Sequence, residues 1–192
     1  MSRPKNREFD FQGINHLALV CKDMERTVAF YSGVLGMPLI KTIELPRGMG
    51  QHFFFDVGNG DCIAFFWFAE APDAVPGVAS AKKAPIPGPS AHGSMNHVAI
   101  NVPVDRIDEY HDKLVSKGIE CTKVVSHDDS PMQASLDITP STFVRSIYFY
   151  DPDGIALEFA AWTRTLGAPS DVAVKPAKAA DKERQREPAT AK

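Results

Sequence analysis

Apolar and polar residues alternate along four short stretches in the first part of the chain. Alternation of this kind, with β-branched and aromatic residues, predicts strands, here over residues 13–21, 39–45, 52–57 and 62–68. Between the first two stretches, apolar residues recur at helical spacing after Asp23, which predicts a helix that Asp23 caps and Gly36 ends. The sequence Gly58-Asn59-Gly60 is typical of a hairpin turn. The pattern therefore predicts a β-α-β-β-β unit.

The same pattern starts again in the second half of the chain. Met95-Asn96-His97-Val98-Ala99-Ile100 matches Ile14-Asn15-His16-Leu17-Ala18-Leu19 position by position, at an offset of 81 residues. A helix capped by Asp105 and ended by Gly118 is predicted next, followed by a strand over residues 119–125. Repetition of a whole supersecondary unit indicates two modules whose pairing buries a shared core.

A second hairpin completes the repeat. Residues 127–142 are polar and irregular, and the turn sequence Asp151-Pro152-Asp153-Gly154 then joins two strands within Ser146–Ala160. The expected fold class is therefore α+β, with two paired βαβββ modules over residues 11–69 and 94–163.

Three segments lie outside these modules. Residues 1–10 are polar and charged, and we expect a flexible N-terminus. Residues 70–93 are rich in proline, alanine and glycine and form an unusually long connection, so this segment is either a covering loop or a mobile linker. Residues 167–192 hold few large apolar side chains and predict a disordered tail.

Charge and cysteine content narrow the possible partners and the compartment. The net charge is −3 and the charges are nearly balanced, which argues against nucleic acid or an anionic membrane surface as a partner. No apolar run is long enough to span a bilayer, and the N-terminus does not resemble a signal peptide. The three cysteines are widely spaced in apolar contexts, so we expect reduced core residues in a cytoplasmic protein: Cys21, Cys62 and Cys121.

Glu158 is the residue that most strongly suggests chemistry. It interrupts an otherwise apolar strand, where a carboxylate is costly unless it is paired, hydrogen-bonded or bound to a metal. The repeated first strands each supply a histidine, His16 and His97, whereas alignment of the two hairpins places Ala64 opposite Glu158. Two histidines and one carboxylate are the ligands of mononuclear non-haem iron sites with open coordination positions. We therefore expect a metal site.

These features resemble the vicinal oxygen chelate superfamily, which includes glyoxalase I, fosfomycin resistance enzymes and type I extradiol dioxygenases. The resemblance rests on the paired modules, the Phe30-Tyr31-(x)3-Leu35-Gly36-Met37 helix exit and the Asp151-Pro152-Asp153-Gly154-(x)3-Glu158 hairpin. It implies a curved, half-open mixed sheet around a divalent metal, with His16, His97 and Glu158 at ligand positions. Ala64 occupies the position at which two other members of the superfamily, glyoxalase I and methylmalonyl-CoA epimerase, carry a fourth metal ligand.

The three-ligand set favours an extradiol-type dioxygenase that cleaves a catechol-like aromatic substrate with O2. Ser146-Ile147-Tyr148 reproduces the dioxygenase pattern, in which the tyrosine lies ten residues before the ligand glutamate. Fe(II) is then the expected metal, and we expect a homo-oligomer. The acid/base histidine of those enzymes has no direct counterpart, so the candidates are the other histidines of strands and loops: His52, His92 and His127.

Two other classes of function are compatible with the sequence. One is another divalent-metal enzyme of the superfamily, a glyoxalase-like lyase, an isomerase or a thiol transferase, using Mn(II), Zn(II) or Ni(II). The fosfomycin-type transferases need a cation-lined phosphonate site, and the sequence holds no basic cluster for one, although Arg145 could contact an anion. The other is a metal-free small-molecule binding protein.

Overall fold

The computed structural model describes residues 8, 9 and 11–177. The N-terminus predicted to be flexible lies mostly outside the described residues, as does the end of the tail. No helix in the described part of the chain is long and apolar enough to cross a membrane.

The first module is a mixed four-stranded sheet with one helix, as predicted. Its strands lie in the order β1-β4-β3-β2, with β1 parallel to β4 and the other pairs antiparallel. Asn59 and Gly60 form the two-residue hairpin turn, with φ of 56° and 84°, because this turn needs positive φ at both positions. The elements are β1 (His16–Cys21), α1 (Met24–Val28), β2 (Leu39–Glu44), β3 (Gly50–Gly58) and β4 (Asp61–Phe68).

The helix begins and ends where the sequence predicts, but it is not uniformly α-helical. The Asp23 side chain accepts a hydrogen bond from the Arg26 N–H and caps α1. Residues Ala29–Val34 then continue as a π-helix, and Gly36 follows with φ of 75°. Such wide turns are rare and seldom extend far.

The second module repeats this architecture, and its sheet order is β5-β8-β7-β6 with β5 parallel to β8. The helix prediction was wrong at its start: Asp105 lies in a short 3-10 turn (Val104–Arg106), and the α-helix begins two residues later without a side-chain cap. The elements are β5 (Val98–Asn101), α2 (Ile107–Ser116), β6 (Val125–His127), β7 (Val144–Tyr150) and β8 (Ala156–Trp162).

The strand predicted over residues 119–125 was also wrong, since β6 starts only at Val125. Cys121 forms an isolated bridge with Phe149. Next to it, the Thr122 hydroxyl accepts a hydrogen bond from the Tyr148 N–H. The Thr122 side chain thus accepts the hydrogen bond that a backbone carbonyl would accept in a regular strand pair, and the regular pairing stops at this residue.

The strand registers confirm the alignment of the two hairpins. Ala64 pairs with Ala18 in the first module, and Glu158 pairs with Ala99 in the second. Phe54 lies across from Ala64 just as Tyr148 lies across from Glu158. Glu158 and Ala64 are therefore equivalent positions of the repeat.

The two modules contact each other through the turn before β8. The Tyr31 hydroxyl donates to the Asp151 carboxylate at 3.2 Å, and both side chains are buried. Asp153 accepts from the Lys22 N–H at 2.9 Å, and Arg26 donates to the Pro152 carbonyl. This turn thus joins the end of β1 and the start of α1 to the second sheet.

The connecting segment, residues 70–93, packs against the second module. The Tyr150 hydroxyl accepts from the Ala84 N–H at 2.9 Å and donates to the Ala84 carbonyl, also at 2.9 Å. Ser80 donates to the Gly154 carbonyl, and the Ala81 N–H donates to the Asn96 carbonyl. Of the two alternatives left by the sequence, these contacts favour a covering loop.

The tail predicted from Gly167 needs a correction at its start. Pro169–Val172 form a 3-10 turn. Asp171 accepts from the Gly167 and Ala168 N–H groups and pairs with Arg164 at 2.8 Å. Local hydrogen bonds and an ion pair therefore order this stretch without the apolar burial that the prediction required.

Candidate metal centre

Glu158 and His97 form the centre of the site. Glu158 is 5% exposed, and its Oε2 lies 2.8 Å from His97 Nε2. Burial is the largest influence on Glu158 and raises its pKa, but the hydrogen bond from His97, the nearby Ser146 hydroxyl and the charges of His97 and His127 together outweigh it, so the pKa of Glu158 is lowered overall. The carboxylate is therefore ionised at neutral pH and available to a cation.

Asn96 fixes the orientation of His97. Its Nδ2 donates to the Gly88 carbonyl at 2.8 Å, which turns its Oδ1 towards His97 Nδ1 at 2.8 Å. Because Oδ1 can only accept, Nδ1 carries the hydrogen and Nε2 faces Glu158. An imidazole held in this way is typical of a metal-ligating histidine.

Tyr148 and His127 lie on the same sheet face as the Glu158 carboxylate. The Tyr148 hydroxyl is 2.9 Å from His127 Nε2. Burial, followed by the charge of Glu158, raises the pKa of Tyr148 to about 12. Ser146, on the same strand, is fully buried, and its Oγ has no hydrogen-bond partner among the described residues. The site thus holds a neutral phenol, an imidazole and a spare hydroxyl.

The first module repeats this arrangement without the carboxylate. His16 Nδ1 lies 2.7 Å from Asn15 Oδ1, and the His16 ring contacts Phe54 edge-on at 5.6 Å. His97 has the same edge-on relation to Tyr148 at 6.0 Å. Fully buried Ala64 takes the place of Glu158, and His16 is exposed and pairs with no carboxylate among the described residues of its own module.

His52 lies beside His16 and is the least satisfied histidine of the site. Its ring stacks on Phe66 at 3.6 Å, and its Nε2 is buried without a hydrogen-bond partner in the described part of the chain. Burial and then the nearby His16 lower the pKa of His52. A neutral imidazole with a free nitrogen is suited to accept a proton.

The structure brings some of the predicted residues together and separates others. His97, Glu158, Tyr148 and His127 share one sheet face, and His16 and His52 share the equivalent face of the other sheet. Within residues 8, 9 and 11–177, no three His, Cys, Asp or Glu side chains are grouped so that they could hold a metal ion. The three predicted ligands therefore do not meet within one chain.

Two other candidates lie apart from this chemistry. His92 is exposed on the connecting segment. Arg145 makes two hydrogen bonds to Asp108, at 2.9 and 3.0 Å, so its guanidinium is already paired. Asn15 and Asn96 belong to the site although they are not among the predicted site residues, and their repetition before each histidine is the sequence signal that points to them.

The donor set fits a divalent cation. Because Asn96 holds Nδ1 of His97 as a donor, Nε2 faces the ionised carboxylate at 2.8 Å, and a contact this short between a ring nitrogen and a carboxylate oxygen requires a proton or a metal ion between them. The orphaned Ser146 hydroxyl supplies a further oxygen next to this pair. Imidazole nitrogen and carboxylate oxygen suit Mn, Fe, Ni and Zn ions.

Two mixed sheets of this order, with His16 at the start of β1 and His97 directly before β5, define a class of duplicated βαβββ proteins. Residues 13–159 match the family described as the Glyoxalase/Bleomycin resistance protein/Dioxygenase superfamily. This chain belongs to that superfamily.

Within this superfamily, the chain is similar to a named sequence relative and to several solved structures. The metallothiol transferase FosB of Lysinibacillus sphaericus (strain C3-41) is 30% identical over 152 residues, which is 79% of this chain and 84% of that protein. A glyoxalase family protein from Enterococcus faecalis has a similar structure, with a TM-score of 0.55, 23% identity and coverage of 78% of this chain and 98% of that one.

A further solved structure is the fosfomycin resistance protein FosX from Listeria monocytogenes, with a TM-score of 0.50 and 21% identity. The match covers 80% of this chain and 96% of that chain. These two structural likenesses show the fold alone.

Proposed function

We propose that this chain is a divalent-metal-dependent enzyme whose ligands are His97 and Glu158 of one copy and His16 of a second copy. The observation that carries the proposal is the 2.8 Å contact between His97 Nε2 and Glu158 Oε2, with Asn96 holding the opposite ring nitrogen. A buried carboxylate and an oriented imidazole form a preorganised pair of ligands.

A second copy of the chain supplies what one copy lacks. His16 is exposed on the first sheet, and its module has no acid at the Ala64 position. Contiguous exposed apolar surface often marks an interaction site, and several large apolar side chains are exposed near the first sheet and in the loop before β7: Val20, Ile40, Met49, Phe68, Met132, Leu136 and Ile138. We infer a homo-oligomer in which the two sheet faces meet.

The reaction we propose is nucleophilic attack on a small, oxygen-bearing electrophile, of the kind a thiol transferase carries out. A divalent ion held by these ligands would act as a Lewis acid towards an oxygen of the substrate. Tyr148 and His127, hydrogen-bonded to each other, can pass a proton to or from the reacting group. The similarity to the metallothiol transferase FosB supports this reaction over ring cleavage.

The substrate need not be a phosphonate. The Arg145 guanidinium is already hydrogen-bonded to Asp108. In the cleft beside Tyr148, Lys83 is the cationic lining residue among those described, and it pairs with Glu120 at 3.1 Å. That cleft, about 340 Å³, is lined by Tyr148 and largely apolar atoms. We therefore expect a small and mostly uncharged substrate rather than fosfomycin itself.

Ring cleavage by an Fe(II) extradiol dioxygenase is the second candidate. The Tyr148–His127 pair favours it, because a phenol and an imidazole beside two metal ligands could orient and deprotonate a catechol. In that case the aromatic side chains next to His52 would line the pocket for a planar ring.

One set of assays separates the two reactions. The metal content of protein isolated without chelators is measured first, and the protein is then loaded with Mn(II), Ni(II), Zn(II) or Fe(II). Anaerobic loss of free thiol with a panel of uncharged epoxides, using fosfomycin as the charged comparison, supports the transferase. Oxygen uptake with catechols and Fe(II) but no thiol consumption would instead establish the dioxygenase.

The three cysteines agree with a reducing compartment. Cys21, Cys62 and Cys121 are all free. Cys21 is buried, as predicted for a core residue, whereas Cys62 and Cys121 are only half-buried. Unpaired thiols are usual in the cytoplasm, and we propose that location.

A further inference from the structure

The connecting segment reaches the metal centre through a single side chain. The segment is held on the second sheet by the Tyr150 hydroxyl, which hydrogen-bonds Ala84 through both its N–H and its carbonyl. Further along, the Gly88 carbonyl accepts from Asn96 Nδ2 at 2.8 Å. Asn96 Oδ1 in turn faces His97 Nδ1 at 2.8 Å. Each step is a direct hydrogen bond.

The prolines of this stretch make the connection stiff. Pro85, Pro87 and Pro89 fix φ around Gly88. The Ala81 N–H also donates to the Asn96 carbonyl, so the segment contacts Asn96 from the backbone as well as from the side chain. A shift of the segment would therefore move Asn96 and with it the ring of His97.

The first module provides an internal comparison. Asn15 holds His16 Nδ1 in the same way, at 2.7 Å. In the described part of the chain, however, Asn15 Nδ2 donates no hydrogen bond to any segment. The Asn-His pair occurs twice, and only the copy next to Glu158 is attached to the connecting segment.

We propose that the connecting segment is a positioning element for the metal centre: when seated, it fixes Asn96, and Asn96 fixes His97 for metal binding. This rests on the proposed function, since it assigns a support to a proposed ligand. Seating of the segment and metal binding are then coupled, and the coupling is reciprocal. Asn96 is a positioning residue and does not touch the metal.

The test measures both directions of the coupling. Calorimetry gives the affinity for Mn2+ in the metal-free protein, and trypsin cleavage after Lys82 and Lys83, followed by mass spectrometry, reports the seating of the segment. The variants are Tyr150→Phe, which removes the hydroxyl under the segment, Asn96→Ala, Asn96→Asp, and Asn15→Ala as the matched control. Melting temperatures establish that each variant is folded.

In the wild-type protein we expect Mn2+ to slow cleavage at Lys82 and Lys83 severalfold. Loss of a support behind a metal-ligating histidine typically costs 10- to 100-fold in metal affinity, so Asn96→Ala and Asn15→Ala should both weaken binding by about that amount. Only Asn96→Ala should also abolish the protection by Mn2+. Asn96→Asp keeps an acceptor for His97 but loses the donor to Gly88, so it should weaken Mn2+ binding only as much as Tyr150→Phe does, and it should lose the protection.

The double variant gives the decisive comparison. Tyr150→Phe should weaken Mn2+ binding about tenfold in the wild-type background and have no further effect in the Asn96→Ala background. Unchanged Mn2+ affinity in a Tyr150→Phe protein whose segment is cleaved faster would overturn the positioning role. Wild-type protein that binds no Mn2+ would overturn the proposed metal function and this inference with it, whereas normal binding without coupling would overturn this inference alone.

Discussion

Two asparagine–histidine pairs, Asn15-His16 and Asn96-His97, have the same local geometry but different surroundings. In the second module the ring faces Glu158 at 2.8 Å, whereas in the first module Ala64 occupies the equivalent place. An imidazole alone binds divalent metal weakly, and the carboxylate supplies the charge that holds the ion. The carboxylate is therefore the difference between the modules that bears most directly on metal binding.

This difference predicts the behaviour of the Ala64→Glu variant. Ala64 is fully buried, so a carboxylate there must meet a cation near His16 or remain unpaired at a cost of several kcal/mol. We expect a lowered melting temperature without metal and a larger rise on adding Mn2+ than in the wild-type protein. Ala64→Gln, of equal size and without charge, should be destabilised, and Mn2+ should raise its melting temperature no more than that of the wild-type protein. Equal metal response in both variants would contradict the alignment.

Tyr148 offers a second prediction at the residue scale. Phe54 fills the equivalent position in the first module, so the fold accommodates a phenylalanine there. Tyr148→Phe should keep its melting temperature within a few degrees and its metal content intact. Loss of a proton-transfer partner should nevertheless lower kcat by about 100-fold or more. The measurement is kcat with the substrate found in the assays above, and unchanged kcat would remove Tyr148 from the chemistry.

At the scale of single elements, Gly50 is essential for the start of β3. Its φ is 145°, and a Cβ there would lie 1.9 Å from the Trp67 carbonyl oxygen on β4. Gly50→Ala should therefore destabilise the protein by about 3 kcal/mol or more, because backbone has to move. Gly33→Ala is the matched control, since nothing lies within 4 Å of its added Cβ. Denaturant unfolding of both variants checks the contrast.

The elements predicted well from sequence are those whose signals are local. The Asn59-Gly60 turn, the Asp23 cap and the Asp151–Gly154 turn each need only their own residues, and the structure has all three. The strand over residues 119–125 failed because a bond from Tyr148, distant in sequence, decides the conformation of Thr122. Contacts between residues distant in sequence cannot be predicted from the local pattern of apolar and polar residues.

The same distinction applies to the site. The repeat register could place Glu158 beside His97, because both belong to one module with its own strand pairing. The repeat register could not place His16 next to His97 and Glu158, because that placement depends on how the two sheets of one copy, or the sheets of two copies, pack against each other. The support of His97 by the connecting segment depends on Tyr150 and Gly88, whose sequence surroundings give no hint of it.

For the whole molecule, the burial of Asp151 where the two modules meet predicts a pH dependence of stability. Burial raises the pKa of Asp151 from 3.8 to about 6. Between these values the folded chain keeps a proton that the unfolded chain loses, so the free energy of unfolding should fall as pH rises from about 4 to 6, by about 3 kcal/mol.

The expected change is measured by denaturant unfolding at pH 4, 5, 6 and 7. Asp151→Asn should flatten the profile in this range, because an amide does not titrate. Asp112→Asn, whose side chain is 85% exposed in the wild-type chain, is the control and should leave the profile unchanged. A fall that persists in Asp151→Asn would assign the pH dependence to another group.

A site shared between two copies predicts complementation. His16→Ala and Glu158→Ala proteins should each bind little Mn2+ alone, since every site lacks one ligand. Mixed after unfolding and refolding together, they should form heterodimers with one complete site each. Metal analysis of heterodimers separated by two affinity tags checks this. Mixed protein that stays metal-free would contradict a shared site.

The order of the strands also has a consequence for synthesis. All four strands of the first sheet lie between His16 and Phe68, so this sheet can form while the second half is still being translated. The Tyr31 hydroxyl is buried in the finished protein, but its partner Asp151 is synthesised 120 residues later. A nascent chain stalled before Asp151 should therefore expose this edge of its first module to chaperones, and release past the turn before β8 should end that exposure.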